Sequence, residues 1–375
     1  DRHMDEELRI IISGGGTGGH IFPAVSIANA IKARHPEAKI LFVGAQGRME
    51  MQRVPQAGYE IKGLPICGFD RKNLLKNVKV LFRIWQSQRM ARRILREFRP
   101  MAAVGVGGYA SGPTLNEAAR MGIPCLLQEQ NSYAGVTNKL LARKAARICV
   151  AYEGMERFFP EDKIMLTGNP VRQSLLSPGL TRAEALASFG LEQGPKTILI
   201  VGGSLGARTM NECVLGHLGE IAASGAQFIW QTGRYYSAHI ASELQRLGKP
   251  RNLCVTDFIA DMGAAYRASD LAISRAGAGS ISELCLVGMP AILVPSPNVA
   301  EDHQTKNAMA LAAKGAAICL SDADAPAKAI GLALQTVADP ERLASLSANA
   351  KALAKPGAAD AIAAEVVRLA RQGRE

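Results

Sequence analysis

The sequence has no cysteine pattern of the metal-binding or redox kind. Cys67, Cys125, Cys149, Cys213, Cys254, Cys285 and Cys319 stand singly, mostly among apolar residues, with no C-x-x-C. That is the usage of buried thiols in a reducing compartment, and it argues against a disulfide framework or a zinc site. The six histidines (3, 20, 35, 217, 239 and 303) show no ligand spacing. The one D-x-D, Asp322-Ala323-Asp324, lies in an Ala/Pro-rich loop and reads as a solvated turn or helix cap. No metal or cofactor is therefore expected. Aromatic residues make up only 5% of the chain, and no recognised nucleic-acid motif occurs, so a nucleic-acid partner is not expected. No G-x-x-x-x-G-K-[ST] is present, which excludes a P-loop. No apolar run approaches the ~18–20 residues of a membrane span. No signal-peptide pattern precedes the first strand, and a cytoplasmic protein is expected.

What is present describes a globular α/β chain. With 375 residues and 48% hydrophobic content, two domains are expected. Strand-like runs alternate with helical patterns, the mark of parallel sheets with crossover helices. In the first half the predicted strands are Arg9–Ser13, Lys39–Val43, Glu60–Leu64, Met101–Val106, Ile123–Gln128, Ala146–Ala151 and Lys163–Leu166. In the second they are Thr197–Val201, Phe228–Gln231, Asn252–Val255, Asp270–Ser274, Ala291–Val294 and Ala316–Leu320. One device recurs twice in each half: a strand, a glycine-rich turn, then a helix. The four turns are Gly14–Gly19, Gly107–Pro113, Gly202–Ala207 and Arg275–Glu283. Helices are expected from about Phe22 to Arg34, Asn73 to Phe98, Thr305 to Lys314 and Asp360 to Arg371. The Ala-rich tail is helical, broken at Lys355-Pro356-Gly357.

The net charge of +11 lies wholly in the first half: residues 1–175 hold 26 Lys/Arg against 15 Asp/Glu, and residues 176–375 hold 18 of each. Arg71 to Arg99 alone contains ten basic residues and one acid, Glu97. A solvated helix face is the ordinary reading of a charge run. Here the basic residues alternate with Leu74, Leu75, Val78, Leu81, Phe82, Ile84 and Trp85. A basic helix with a Trp-bearing apolar side fits an anionic membrane surface, although Trp85 as simple core is also open. Lys72, Leu75, Lys76, Lys79, Phe82 and Trp85 are the candidate membrane residues.

The first glycine turn, Gly14-Gly15-Gly16-Thr17-Gly18-Gly19, fits G-x-G-x-x-G, which alone would suggest a dinucleotide cradle. A dinucleotide fold needs an acid at the end of the second strand for the ribose. Lys39–Val43 runs instead into Gly44-Ala45-Gln46-Gly47, and no acid follows until Glu50. Four phosphate-compatible turns without a metal pair point to a diphosphate held by helix N-termini, backbone N–H groups and cations. Ser204, Arg172 and Arg275 are the polar side chains available beside them.

Six segments together identify a family. Gly15–His20, Gly107–Pro113, Glu129-Gln130-Asn131, Gly168-Asn169-Pro170-Val171-Arg172, Gly202–Ala207, and Ser282-Glu283 with His303-Gln304 resemble, in order, the MurG glycosyltransferases of peptidoglycan synthesis. The resemblance runs from residue 9 to about residue 320. It implies a GT-B fold: two Rossmann-like α/β domains whose parallel sheets face each other across a cleft. Residues 5–175 would bind acceptor and membrane, 176–355 would bind UDP-N-acetylglucosamine, and the helix in 356–375 would be free to pack back on the first domain. The implied reaction is inverting transfer of N-acetylglucosamine to the 4-hydroxyl of the muramoyl sugar of lipid I, giving lipid II, at the cytoplasmic membrane face. By position, Thr17, Gly18 and Gly19 would lie against the donor, with Asn131 near its sugar. Arg172 and Ser204 would face the diphosphate, and the Ile259 backbone the uracil. Ala278, Gly279, Ser280, Ile281, Ser282 and Glu283 would hold phosphates and ribose, Glu283 on the ribose hydroxyls, and Gln304 would read the sugar. Two positions depart from the family pattern: Gln128 stands where many relatives have His, and Gly279-Ser280 replaces a Leu-Thr pair.

Inverting transfer needs a proton acceptor and stabilisation of the departing UDP. His20 ranks first as the base, since an imidazole near ~6.5 suits neutral pH; a helix-start His bonding the backbone is its plainer reading. Glu129 ranks second. Tyr109 and Ser111 are expected on the acceptor side, a buried Tyr being the alternative for the first. Three other readings share parts of the pattern: another UDP-sugar transferase with a lipid acceptor, a UDP-sugar epimerase on the same scaffold, and a non-catalytic nucleotide-sugar sensor.

Overall fold

A computed structural model describes residues 7–68, 73–175, 178–203, 206–297, 299 and 302–372, without the side chains of Leu74, Lys76 and Gln173. The chain divides into two compact units, one built from the residues up to Pro170 together with those from Lys355 onward, the other from Val171–Ala354.

In the first unit the strands are β1 (Arg9–Ser13), β2 (Lys39–Ala45), β3 (Glu60–Leu64), β4 (Ala102–Gly105), β5 (Cys125–Glu129), β6 (Arg147–Val150) and β7 (Ile164–Leu166). They form one parallel sheet in the order β3-β2-β1-β4-β5-β6-β7. Its helices are α1 (Gly18–Arg34), α2 (Glu50–Gln56), α3 (Leu74–Phe98), α4 (Ser111–Arg120) and α5 (Val136–Leu141). Covered faces explain why Ile10-Ile11-Ile12 reads as an unbroken apolar run. Ile10 and Ile12 enter the core with Ile27 and Ile31 of α1, and Ile11 enters the opposite core with Leu95 of α3 and Leu115 of α4.

The second unit holds α6 (Arg182–Ser188), β8 (Thr197–Val201), α7 (Arg208–Leu215), α8 (Leu218–Ala223), β9 (Gln227–Gln231), α9 (Arg234–Leu247), β10 (Leu253–Thr256), α10 (Met262–Ala268), β11 (Leu271–Ser274), α11 (Ala278–Val287), β12 (Ala291–Leu293), α12 (His303–Ala313), β13 (Ile318–Cys319), α13 (Ala325–Val337) and α14 (Pro340–Leu353). Its strands are again parallel, in the order β10-β9-β8-β11-β12-β13. The last helix, α15 (Ala358–Gln372), belongs to the first unit. Its Ile362, Val366 and Leu369 share a core with α1, and Glu365 accepts from Arg147 Nε of β6 at 3.1 Å.

Two elements differ from the sequence reading in ways that bear on function. α1 starts at Gly18, not Phe22, which puts His20 in its first turn. Glycines cost little there, because the first N–H groups of a helix need no intrahelical acceptor. α2 was not anticipated at all, being one short helix between two glycines, and it carries Glu50. The Asp322–Asp324 pair is taken up within the fold: Asp322 Oδ1 accepts from Arg275 Nη1 at 2.6 Å, and Asp324 is the N-cap residue of α13.

Candidate active site

In an open parallel sheet, ligands bind where neighbouring strands send their connections in opposite directions. In the first unit that point lies between the carboxyl ends of β1 and β4. The two glycine turns of this unit leave from those strands and interlock. Gly15 N–H donates to Gly107 O at 3.1 Å. A Cβ on Gly14 would stand 2.4 Å from Gly107 O, and one on Gly108 would stand 2.5 Å from Gly15 O. Gly14, Gly15, Gly16, Gly107 and Gly108 all have positive φ, so the conformation favours glycine at each, and at all but Gly16 the close approach does too.

His20 sits beside this junction. Its Nδ1 lies 2.8 Å from the Gly15 carbonyl, which only accepts, so Nδ1 carries the proton and Nε2 is the basic nitrogen. Nε2 borders the second turn, 2.9 Å from where a Cβ on Gly107 would stand. Thr17 is the N-cap residue of α1, with Gly18 and Gly19 in the first turn. Tyr109 is 45% exposed, packs on Gly68 and lies under the Arg48 guanidinium, 5.4 Å from the ring centroid. Ser111, expected on the acceptor side, is fully buried with its hydroxyl against Gly105. It lines the core beneath the turn because α4 begins there and its first turn faces β4.

Glu129 ends β5 and is 2% exposed. Its oxygens accept from the N–H groups of Gly135 at 2.6 Å and Asn131 at 3.3 Å, and from Asn138 Nδ2 at 3.4 Å. Burial pushes its carboxyl up to about 7, against the lowering effect of those hydrogen bonds. The carboxyl thus fastens the loop that carries Asn131. Beneath it lies a buried amide network. Gln128 Nε2 donates to Asn169 Oδ1 at 2.9 Å, Asn169 Nδ2 donates to Gln130 O at 2.9 Å, and Gln130 Nε2 donates to Val106 O at 2.9 Å and to Gln128 Oε1. Gln128 is therefore a structural amide tying β5 to the Gly168–Pro170 turn.

In the second unit the switch lies between the carboxyl ends of β8 and β11. From β11 the chain enters α11 with Gly277 as N-cap and no acid in the first turn. The N–H groups of Ala278, Gly279 and Ser280 are those a helix leaves without an intrahelical acceptor, an anion-compatible end. Ile281 is core, its N–H bonded to Gly277 O at 3.0 Å, and Ser282 is half-buried. Glu283 is buried and accepts from Arg172 Nε at 2.7 Å and from the Tyr266 hydroxyl at 2.9 Å. Burial raises its carboxyl above 4.5, while Arg172, first through its charge, acts to lower it. Arg172 and Glu283, expected on different parts of a ligand, thus form an ion pair here. Gln304 is the second residue of α12, and its Oε1 accepts from Ser296 N–H at 2.9 Å and Ala276 N–H at 3.3 Å. Ile259 N–H donates to Gln231 Oε1 at 3.3 Å, and Gln231 Nε2 donates to Gly203 O at 2.7 Å. Arg275, considered as a phosphate cation, instead donates to Asp322, Val294 O and Pro295 O. Ser204 lies outside the described residues.

On α3, Leu75, Val78, Leu81, Phe82 and Trp85 are exposed on one face, with Trp85 52% accessible and Arg89 stacked 4.9 Å from its ring centroid. Trp85 is not core, because α3 buries the face carrying Ser87, Ala91 and Leu95. Lys79 is exposed; Lys72 and the Lys76 side chain lie outside the described residues. Among the described residues no helix is long and apolar enough to cross a membrane.

Sequence reasoning missed Glu50, Tyr266 and Gln231. Glu50 was in view, but only as an acid too late for a ribose.

Comparison with known proteins gives the family. Residues 10–150 match the glycosyltransferase family 28 N-terminal domain, and residues 197–363 match its C-terminal domain. A protein of Phocaeicola vulgatus named UDP-N-acetylglucosamine–N-acetylmuramyl-(pentapeptide) pyrophosphoryl-undecaprenol N-acetylglucosamine transferase is 66% identical over 372 residues, 99% of each chain. A protein of the same name from Bacteroides thetaiotaomicron is 64% identical over 368 residues, 98% of this chain and 99% of its own. The crystal structure of Acinetobacter baumannii MurG superposes with a TM-score of 0.79 at 29% identity, covering 96% of this chain and 99% of that one. The chain has the GT-B fold and belongs to glycosyltransferase family 28, in its MurG branch.

Proposed function

We propose that the protein transfers N-acetylglucosamine from UDP-N-acetylglucosamine to the 4-hydroxyl of the muramoyl sugar of lipid I, forming lipid II for peptidoglycan synthesis. The observation that carries this reading is its near full-length identity to enzymes named for that transfer. In the reaction the acceptor hydroxyl gives its proton to His20 Nε2 as its oxygen bonds to the sugar's anomeric carbon. The bond from that carbon to the β-phosphate breaks, and its electron pair leaves with UDP. Backside displacement inverts the anomeric centre.

Three features support the assignment of roles. The Gly15 carbonyl fixes the tautomer in which Nε2 is basic. The α11 N-terminus, with Arg172 nearby on Glu283, suits a diphosphate followed by a ribose. Glu129 has its oxygens turned to loop N–H groups, which favours a positioning role and leaves His20 as the base. The exposed apolar face of α3 and its basic neighbours suit docking on an anionic membrane at its cytoplasmic face.

The test is incubation with radiolabelled UDP-N-acetylglucosamine and a lipid I analogue. Labelled lipid product and free UDP are expected; release of UDP-N-acetylmannosamine, or no lipid product, overturns the reading. His20→Ala should lower kcat by about 10²–10⁴-fold, the usual worth of general-base catalysis, with little change in donor KM.

A further inference from the structure

We infer that Glu50 is a positioning residue for His20, acting on it through the Gly15–Gly16 peptide; this rests on the reading of His20 as the base. The Gly15 carbonyl and the Gly16 N–H belong to one planar, conjugated group. On one side, that N–H donates to Glu50 Oε2 at 2.8 Å. On the other, the carbonyl accepts from His20 Nδ1 at 2.8 Å. The second carboxylate oxygen, Oε1, accepts from Ala45 N–H at 3.0 Å, which anchors Glu50 to the end of β2.

The carboxyl is built into its place. It is 1% exposed. A Cβ on Gly15 would lie 2.3 Å from Glu50 Cδ, and one on Gly44 would lie 2.5 Å from Glu50 Cγ, so only glycine at both positions leaves the notch it fills. A glycine turn before a helix presents N–H groups to an anion. Here the anion taken by Gly16 N–H is the protein's own carboxylate, and the turn serves the imidazole.

A negative charge on the N–H side of a peptide polarises it and makes its carbonyl a stronger acceptor. The Nδ1–H bond to Gly15 then holds the tautomer more firmly, and Nε2 becomes more basic. A catalytic triad achieves this with a carboxylate directly on the imidazole. In this chain a peptide stands between them, so Glu50 touches no substrate and takes no proton. Among the described residues, the charged or titratable groups set near the turn include Arg53 of α2, whose Nη1 is 3.4 Å from a Cβ position on Gly18, and Tyr109 with Arg48 over its ring. The first turn of α1 has no acid. Both cations oppose imidazole protonation, and the Glu50 carboxylate favours it.

Glu50→Gln keeps the shape and removes the charge. Its kcat should fall about ten- to a hundredfold with donor KM nearly unchanged, part of the worth of the base itself. The acid limb of its kcat profile should move to lower pH by about half to one unit, since an imidazole loses proton affinity when a nearby anion is removed. The second readout needs no turnover: with ¹⁵N-histidine labelling, the His20 ring should titrate at lower pH in Glu50→Gln, with its Nδ1–H bond to Gly15 weakened. Should Glu50→Gln fail to fold, Glu50→Ala, which also removes the charge, is titrated the same way. A folded variant in which His20 titrates as in the parent, or a loss carried by donor KM, overturns the inference. If His20→Ala retains full turnover while Glu50→Gln still shifts the His20 titration, the base assignment fails and the coupling stands.

Discussion

Glu129 is where pH should act most visibly on this fold, and it also separates the two candidate bases. Burial moves its carboxyl from 4.5 in the unfolded chain to about 7 in the folded one. The folded state therefore holds a proton that the unfolded chain has already released. Its stabilising contribution is complete below about pH 4.5, declines by about 1.4 kcal/mol per pH unit, and is gone above about pH 7. Across that window the change amounts to about 3 kcal/mol. Glu129→Gln has no charge to lose. Its amide meets the Gly135 and Asn131 N–H groups with one acceptor in place of two, a pH-independent cost of about 1–3 kcal/mol. Urea unfolding of parent and variant between about pH 4.5 and 8 should show the variant gaining on the parent by about 3 kcal/mol from the acid end to the alkaline end. A difference that stays constant over this range would refute the idea that burial keeps the carboxyl protonated. The same variant should retain most of its turnover; a loss of about 10²-fold or more, with the loop intact, would make Glu129 the proton acceptor.

The interlocked glycine turns make a second prediction. Gly108→Ala forces a φ of +95° on a residue with a Cβ and drives that carbon to 2.5 Å from Gly15 O, which should cost about 2–4 kcal/mol in thermal or urea unfolding. Gly122→Ala, at φ +74° with nothing within 4 Å, should cost only about 1–2 kcal/mol; equal losses would mean that packing between the turns contributes little. For the membrane face, replacing Leu75, Phe82 and Trp85 together by Ser should abolish cosedimentation with anionic phospholipid vesicles, each buried apolar side chain being worth about 1.5–3 kcal/mol. Lys79→Glu should weaken binding in a salt-sensitive way, and undiminished cosedimentation of the triple variant would count against docking through α3.

The sequence by itself determined the class of the fold and the order of its parts. Strand-length apolar runs between helical patterns admit little besides parallel sheets, and every strand lies within two residues of its expected ends. The residues that identify the family are legible because they are local: a glycine turn needs only its own backbone. Even the amphipathic period of α15 is plain, although its partner is not, because Ile362 and Val366 meet α1 more than three hundred residues away in sequence.

Tertiary structure alone decided what each polar group faces. The first glycine turn suggests an anion site, and the sequence offers no way to see that a carboxylate 34 residues later fills it. Arg275 and Arg172 look alike as strings of letters. The fold commits one to Asp322 and two carbonyls, and sets the other on the buried Glu283 in the second turn of α11. Ser111 reads as a loop hydroxyl, and the start of α4 turns it into the core. Hydrophobic period depends on one stretch of chain, whereas a hydrogen bond depends on which two stretches the sheet order brings together.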